Sequence, residues 1–560
     1  MRRDPQTPSA LSPEVRLVAR GTMINIAAMV LGALLGFALT VLVSRWLQPT
    51  NAGSLFELIA LVTILSNTLE LGSDTGLTRW ISRARAIGGL EQVRRILAIA
   101  LGPVLIAGTV AAAAMWVAAP ALAHLFLHGM APAAAVTDIR IVAPVVPLGA
   151  LSACVLAAPR GYGRMWPYLA IEGIGKPTAR MGLVLVVLIT GWGLQGALIG
   201  WSVPVVFGLV AGWLILAHLI RAETPTVGRM LSSSRTAGAP PRPLAGQGGA
   251  GHRAAADLRH PGRERGRHRR GSRQAASSLH SLAADFWRFA APRGFAGTFQ
   301  IVVVWLDILL VGALLSRYAA GVYAAVSKLA VVGTFALEGT RLAIAPQLSA
   351  LLARNKRART ADLYQSATRW LMLATWPMYV VLVIFPAVVL GIFGHRYTAG
   401  AAPLVVLSLA MLVNLGTGNV TVVLLMGGKS SWNFVNALAA LIVNVALNLV
   451  LLPRIGIMGA AIAWAASIVV DNVAAVIEVW LLLGLGPFGR GYGLVVAATA
   501  GCFGITGLVA RAFLGQTLPA LVATTALGLT AFAAIAYLGR ERLQLGGLFA
   551  ALLPRAPGQR

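Results

Sequence analysis

A polytopic bundle of α-helices, built as two six-helix halves plus two C-terminal spans, is the fold class this sequence predicts. Three observations carry it. The chain is 58% hydrophobic and 11% charged, with a mean hydropathy of +0.78, whereas soluble domains average about 25% charged residues. Apolar runs of about 20 residues, long enough to cross a bilayer core as a helix, recur from Met23 onward. Finally, GLQGALIGW (Gly193 to Trp201) returns 263 residues later as GIMGAAIAW (Gly456 to Trp464). Open strands or loops would leave backbone groups unsatisfied in lipid, so the class is all-α.

In the first half the spans fall near 23–47, 52–72, 96–119, 140–159, 166–190 and 196–219. In the second they fall near 294–316, 319–342, 368–391, 402–426, 431–451 and 456–483. Two more near 491–514 and 517–538 bring the expectation to about fourteen. The organisation is then a 1–22 N-terminal segment, a 23–219 bundle, a 220–285 linker, a 286–483 bundle, two helices over 484–540 and a 541–560 tail. The opening MRRDPQTPSALSPEVRLVARGT is too long and polar for a signal peptide and no small-residue cleavage site follows, so the first run reads as a retained span.

Loop charges set the expected orientation. Arg79, Arg83, Arg85, Arg94 and Arg95 follow span two, Arg160 and Arg164 follow span four, and Arg354, Lys356, Arg357 and Arg359 follow span eight. The alternate connections hold only the isolated Arg317, Arg396, Arg454 and Arg511. The positive-inside rule places both termini and the basic connections in the cytoplasm. The net charge of +28 therefore reports topology and calls for no nucleic-acid partner.

The linker from about Met230 to His280 is rich in Gly, Ala, Pro, Ser and Arg and poor in aliphatics. Such a segment cannot bury a core and is expected to be disordered, with its arginines near anionic membrane lipid. No aromatic residue interleaves with RGRHRRGSR, so base stacking is not offered.

The repeat extends beyond the opening pair. Ala52-Gly53 in NAGSLFEL has its counterpart in Ala320-Gly321 of AAGVYAAV, and Glu70 in Glu338, each 268 residues on. Six spans per half make the halves parallel repeats about an axis along the membrane normal, with a central cavity near the midplane. Within the nonapeptides, Gly193, Gly196 and Gly200 share a spacing with Gly456, Gly459 and Ala463. Small residues at that spacing predict packing seams rather than substrate contacts.

Charges inside spans cost about 2.5–3.5 kcal/mol each on insertion scales, so each needs a partner or an aqueous cavity. Glu57, Lys176, Arg180, Asp307 and Lys328 lie deep, and Glu172, Lys176 and Arg180 share one helical face beside Pro177. Two readings stand. In one, Glu172–Lys176 and Asp307–Lys328 are compensating pairs. In the other, Lys176, Arg180 and Lys328 line a cavity and hold an anionic headgroup, arginine suiting phosphate through its planar fork, with Asp307, Glu57 and Glu172 as charge partners or ion-coupling groups. Glu70 and Glu338 are expected to pair with Arg79 and Arg341. Asn433, Asn436, Asn444 and Asn448 predict interhelical hydrogen bonds. Cys154 and Cys502 read as small buried side chains, and His124 with His128 lacks the further ligands a metal site needs. No metal and no cofactor are expected.

The segments VLVSRWLQPTNAGSLFELIAL, WLDILLVGALLSRYAAGVYAAVSKLA and LPRIGIMGAAIAWAASI resemble the Wzx-type polysaccharide flippases of the multidrug/oligosaccharidyl-lipid/polysaccharide exporter superfamily. The resemblance covers spans one to twelve and excludes the linker. It implies an alternating-access transporter, not an enzyme, that moves a polyprenyl-pyrophosphate-linked oligosaccharide for lipopolysaccharide or capsule export. It also implies a cationic central cavity, which Lys176, Arg180, Asp307 and Lys328 would line, and glycan polymerases or glycosyltransferases as partners. The rivals are a multidrug cation exporter of the same fold, which would favour a carboxylate-dominated cavity, and a membrane glycan polymerase or glycosyltransferase, which would need a larger extramembrane loop or an acidic cluster.

Overall fold

The computed structural model describes residues 13–86, 90–237 and 264–544, and they form helices and turns without a strand. The first helix, α1 (Pro13–Leu69), is two arms meeting at Gln48, whose φ of 60° breaks the helix. Pro49 causes the break, since a proline drives the residue before it out of the α region. A second break at Leu71 and Gly72, both with positive φ, turns the chain into α2 (Ser73–Ala86). α3 (Leu90–Val117) and the short α4 (Ala119–Phe126) and α5 (Pro132–Val142) lead to α6 (Val145–Gly161). α7 (Trp166–Tyr168), a π turn (Leu169–Gly175) and α8 (Lys176–Ile189) make one continuous helical run, and α9 (Gly193–Ala237) ends the first half.

The second half repeats this pattern with α10 (Glu264–Leu314), α11 (Arg317–Ala330), α12 (Thr334–Ala353), α13 (Arg357–Ile384), the short α14 (Pro386–Leu390), α15 (Ala401–Gly416), α16 (Val420–Met426), α17 (Ser430–Ile455) and α18 (Ile457–Leu483). α19 (Tyr492–Thr499), a second π turn, α20 (Thr506–Leu514) and α21 (Leu518–Leu538) follow. Among the described residues, twelve helices are long and apolar enough to cross a membrane, against the fourteen spans expected. The difference has two sources. The count takes 31–85 as one helix although α1 breaks at Gln48, and it omits the 166–189 run, which Glu172, Lys176 and Arg180 make too charged to pass as an apolar span. Of the predicted linker, the flanks to Ala237 and from Glu264 are helical, and residues 238–263 lie outside the described residues.

Two ends of the bundle can be told apart. One carries the arginine-rich connections and is called the basic end; the other, holding the turn at Gln48, is called the distal end. Packing differs between them. A single large core, including Leu55, Val146, Val322, Tyr323 and Leu404, joins both halves. The connections of the basic end instead have separate cores, one around Leu77, Ile81 and Ile96 and one around Leu348, Tyr364 and Val423. Large apolar side chains such as Ile106, Leu214 and Leu481 remain exposed on outward faces, as expected of surfaces that lipid covers.

The halves meet most closely where the repeat places Gly53 and Gly321. A Cβ on Gly53 would lie 1.8 Å from the Arg317 carbonyl oxygen, and one on Gly321 would lie 2.0 Å from that of Pro49. The two backbones touch, and only glycine permits it. Polar straps surround this crossing. Arg317 donates to the His128 carbonyl at 2.8 Å and to Ser54 Oγ at 3.3 Å. Arg45 donates to the Ile392 carbonyl at 2.6 Å, Arg396 to Gln48 Oε1 at 2.6 Å, and Tyr397 to the Ser44 carbonyl at 3.3 Å.

Candidate functional site

Two adjoining chambers, of about 450 and 340 Å³, run between the second arm of α1 and the 166–189 helical run. Thr63, Arg180 and Trp201 line both. The larger chamber adds Glu70, Asp74, Arg160, Tyr168, Glu172 and Lys176; the smaller adds Lys328 and Trp305 from the second half. Its remaining lining, including Leu39, Val43, Phe56 and Ile59, is largely apolar.

Local geometry explains the cationic face. A π turn accommodates an extra residue and locally rotates the side chains that follow. Pro177 sits in the first turn of α8, where a missing N–H costs least. Lys176, 7% exposed, pairs with Glu172 and donates to Ser152 Oγ at 2.9 Å. Its aliphatic stem occupies the space that a Cβ on Gly208 would fill. Arg180 donates to the Trp201 carbonyl at 3.2 Å and lies 4.4 Å over the Trp201 ring. Lys328 sits 4.3 Å over the Trp305 ring and makes no hydrogen bond or ion pair among the described residues. Such stacking holds a cation in place while leaving its donors able to meet an anion.

The structure thus brings Lys176, Arg180, Lys328 and Glu172 together. It separates Asp307 and Glu57 from them. Asp307, 1% exposed, does not pair with Lys328; it accepts from the Tyr323 hydroxyl at 2.9 Å and from Asn448 Nδ2 at 2.8 Å. It is a polar node tying α10, α11 and α17 together, outside both chambers. Asp307→Ala would strand the Tyr323 hydroxyl and the Asn448 amide in the core, at about 1–3 kcal/mol for an unsatisfied group. A lower unfolding midpoint of the purified protein is the expected result, and Asp307→Asn should lose less. Glu57, also 1% exposed, packs where a Cβ on Gly312 would go, and its oxygens have no hydrogen-bond partner among the described residues.

Other expectations divide. Glu338 pairs with Arg341 at 3.1 Å. Glu70 does not pair with Arg79, which stacks 4.0 Å over the Phe289 ring; it faces the larger chamber instead. Asn436 donates to Glu478, and Asn448 bonds to Asn444 and Asp307. Gly196 and Gly200 pack against residues of α8, and Gly459 against Leu451 of α17, whereas Gly193 and Gly456 sit in turns with φ of 59° and 62°. No grouping of three or more metal-ligating side chains occurs among the described residues.

Sequence reasoning missed Asp74, Tyr168, Trp201 and Trp305 and read Arg160 only as a topology marker. For Trp201 a signal existed, since it is the last residue of GLQGALIGW. That nonapeptide was expected to avoid substrate, yet its tryptophan forms a wall of both chambers.

The fold is shared with solved membrane transporters. The chain is similar to the lipid II flippase MurJ in an inward closed conformation, with a TM-score of 0.66 and 11% identity over 93% of this chain and all of that one. It is also similar to an inward-facing multidrug resistance MATE family transporter, with a TM-score of 0.57 and 14% identity over 86% of this chain and 98% of that one. Residues 18–236 match the family described as "Polysaccharide biosynthesis protein". A probable low-salt glycan biosynthesis flippase, Agl15 of Haloferax volcanii, is 24% identical over 173 residues, 30% of this chain. The chain spans 36% of the length of that curated relative. The resemblance to Wzx-type flippases drawn from the sequence is borne out.

Proposed function

We propose that this protein is a flippase that moves a polyprenyl-pyrophosphate-linked oligosaccharide from the cytoplasmic to the outer leaflet of a bacterial plasma membrane, in the biosynthesis of a cell-surface polysaccharide. The observation that carries the reading is the convergence of Lys176, Arg180 and Lys328, from both halves, on one pair of joined chambers. A diphosphate cannot cross hydrocarbon unaided, because its charges would lose their water. Three cations, two of them held over indole rings, replace part of that hydration. The fold shared with a lipid II flippase, the likeness to a probable glycan biosynthesis flippase and the polysaccharide-biosynthesis match over residues 18–236 support the same reading.

With the basic end in the cytoplasm, the joined core at the distal end closes the outer side, and separation of the halves there would release the headgroup outward. The membrane potential, negative inside, favours outward movement of an anion by about 2.3 kcal/mol per charge per 100 mV. The protein supplies no bond-making step; it binds, shields and releases. Glycan polymerases or glycosyltransferases act before or after it, and anionic lipid meets its basic connections.

A second reading, a cation exporter, draws on Glu70, Asp74 and Glu172 in the larger chamber. Reconstitution distinguishes the two. In vesicles containing the full-length protein, a fluorescent polyprenyl-pyrophosphate sugar should become accessible to a membrane-impermeant quencher at a rate that protein-free vesicles do not reach. Uptake of an organic cation with no movement of the lipid would overturn the flippase reading.

A further inference from the structure

The lining of the two chambers changes chemistry in a fixed order along two helices. Along the second arm of α1 and the turn after it, Leu55, Phe56 and Ile59 line only the smaller chamber, Thr63 lines both, and Ser66, Asn67 and Glu70 line only the larger. The 166–189 run repeats the sequence in the opposite direction: Glu172 and Lys176 line the larger chamber, Arg180 both, and Val184 the smaller. Seven residues of α-helix span about 10 Å. The apolar zone at Phe56, the cationic zone level with Thr63 and the carboxylate zone at Glu70 are therefore spaced by about 10 Å each.

The carboxylate zone has its own construction. Glu70 and Asp74 flank the break at Leu71 and Gly72, whose left-handed backbone presents both residues to the larger chamber. Neither carboxylate has an ion-pair partner among the described residues; that of Asp74 accepts from the neighbouring Thr75 hydroxyl at 3.2 Å. Beside them, Tyr168 presents a ring that Arg160 covers at 4.7 Å. Two carboxylates against the single Arg160 make this zone less suited to a diphosphate than the level of Arg180, which Lys176 and Lys328 flank. It is suited to a group rich in hydroxyl and amide hydrogens, because carboxyl oxygens accept hydrogen bonds from both.

We propose that Glu70 and Asp74 form a sugar subsite, which accepts hydrogen bonds from the hydroxyl and amide groups of the sugars nearest the diphosphate. This rests on the flippase reading and adds a pose to it. From the basic end inward the protein presents acceptors, then cations, then apolar walls. A prenyl-diphosphate sugar standing in the cytoplasmic leaflet presents sugar, diphosphate and hydrocarbon in that same order. Arg180 and Lys328 hold the diphosphate, while the chamber walled by Val43, Phe56 and Ile59 receives the first isoprene units. Glycan choice is then set by the first half of the chain at the α1–α2 break, apart from the cations that any diphosphate lipid would use.

Competition binding to the full-length protein in nanodiscs tests the subsite, with polyprenyl diphosphate bearing an oligosaccharide compared against bare polyprenyl diphosphate. The wild type should prefer the glycosylated lipid. In the double variant Glu70→Gln, Asp74→Asn its affinity for that lipid should fall about tenfold, the effect of losing one or two charge-assisted hydrogen bonds, with less than a twofold change for the bare lipid. Arg180→Ala should weaken both lipids alike. A retained preference in the double variant overturns the subsite, and so does equal loss on both lipids, which would mark the carboxylates as structural. Failure of the wild type to bind either lipid overturns the flippase reading itself. The single variants give the same contrast if the double variant does not fold.

Discussion

Gly53→Ala should abolish transport while leaving the protein inserted and folded. The added methyl would sit 1.8 Å from a backbone oxygen of the facing helix, and a backbone cannot swing aside as a side chain can. The crossing must widen by more than an ångström, which detaches the Arg317, Arg45 and Arg396 straps around it. Overpacking of this kind costs about 1–3 kcal/mol, a factor of roughly five to a hundred and fifty in the balance between closed and open distal ends. The measurement is labelling of a cysteine placed at Thr63, which lines both chambers, by a membrane-impermeant thiol reagent applied from the distal side. The native Cys154 and Cys502 are buried and are replaced beforehand. Labelling should rise by at least about fivefold in Gly53→Ala and in Gly321→Ala. Unchanged labelling together with unchanged transport would show that this crossing is not a gate.

Arg180→Ala carries the second large effect. Among the described residues, Arg180 is the only cation that lines both chambers, so a headgroup moving from one to the other meets it. Loss of a charge-assisted contact, about 1.5–3 kcal/mol, predicts a fall in flipping rate of about ten- to a hundredfold. Arg180→Lys should fall between, because lysine keeps the charge but lacks the planar fork and stacks less well on an indole. Lys176→Ala should be milder, since Lys176 is already engaged by Glu172 and Ser152. Full activity in Arg180→Ala would remove the cationic reading of the chambers.

Much of the fold was legible because bilayer physics writes it in composition: apolar length gives the helices and arginine distribution tells one end of the bundle from the other. That Glu172, Lys176 and Arg180 share one side of the 166–189 run was legible too, since their four-residue spacing brings them together, although the π turn at Glu172 was not. Partners across helices were not. Asp307 and Lys328 are both deep and of opposite charge, which suggests a pair, yet Asp307 turns to Tyr323 and Asn448 while Lys328 turns to Trp305. Rotation of α10 and α11 about their axes decides this, and no one-dimensional pattern records it. Trp201 was lost to a different cause. It belongs to a repeated nonapeptide whose small residues do pack helix on helix, and the packing explanation absorbed the tryptophan as well. The count of spans differed at Gln48, where the backbone departs from an ideal helix, and in the 166–189 run, where Glu172, Lys176 and Arg180 make the span less apolar.

Three of the distal straps share one trait with a wider consequence. Arg317, Arg45 and Tyr397 each reach across to a main-chain carbonyl, of His128, Ile392 and Ser44 respectively. A carbonyl is present whatever residue carries it, so the accepting position is free to drift during evolution without losing the bond. Selection would then fall on the donor alone. In a family alignment these contacts should leave single invariant columns rather than covarying pairs, and methods that infer proximity from paired substitutions would pass over the strapped end of the molecule.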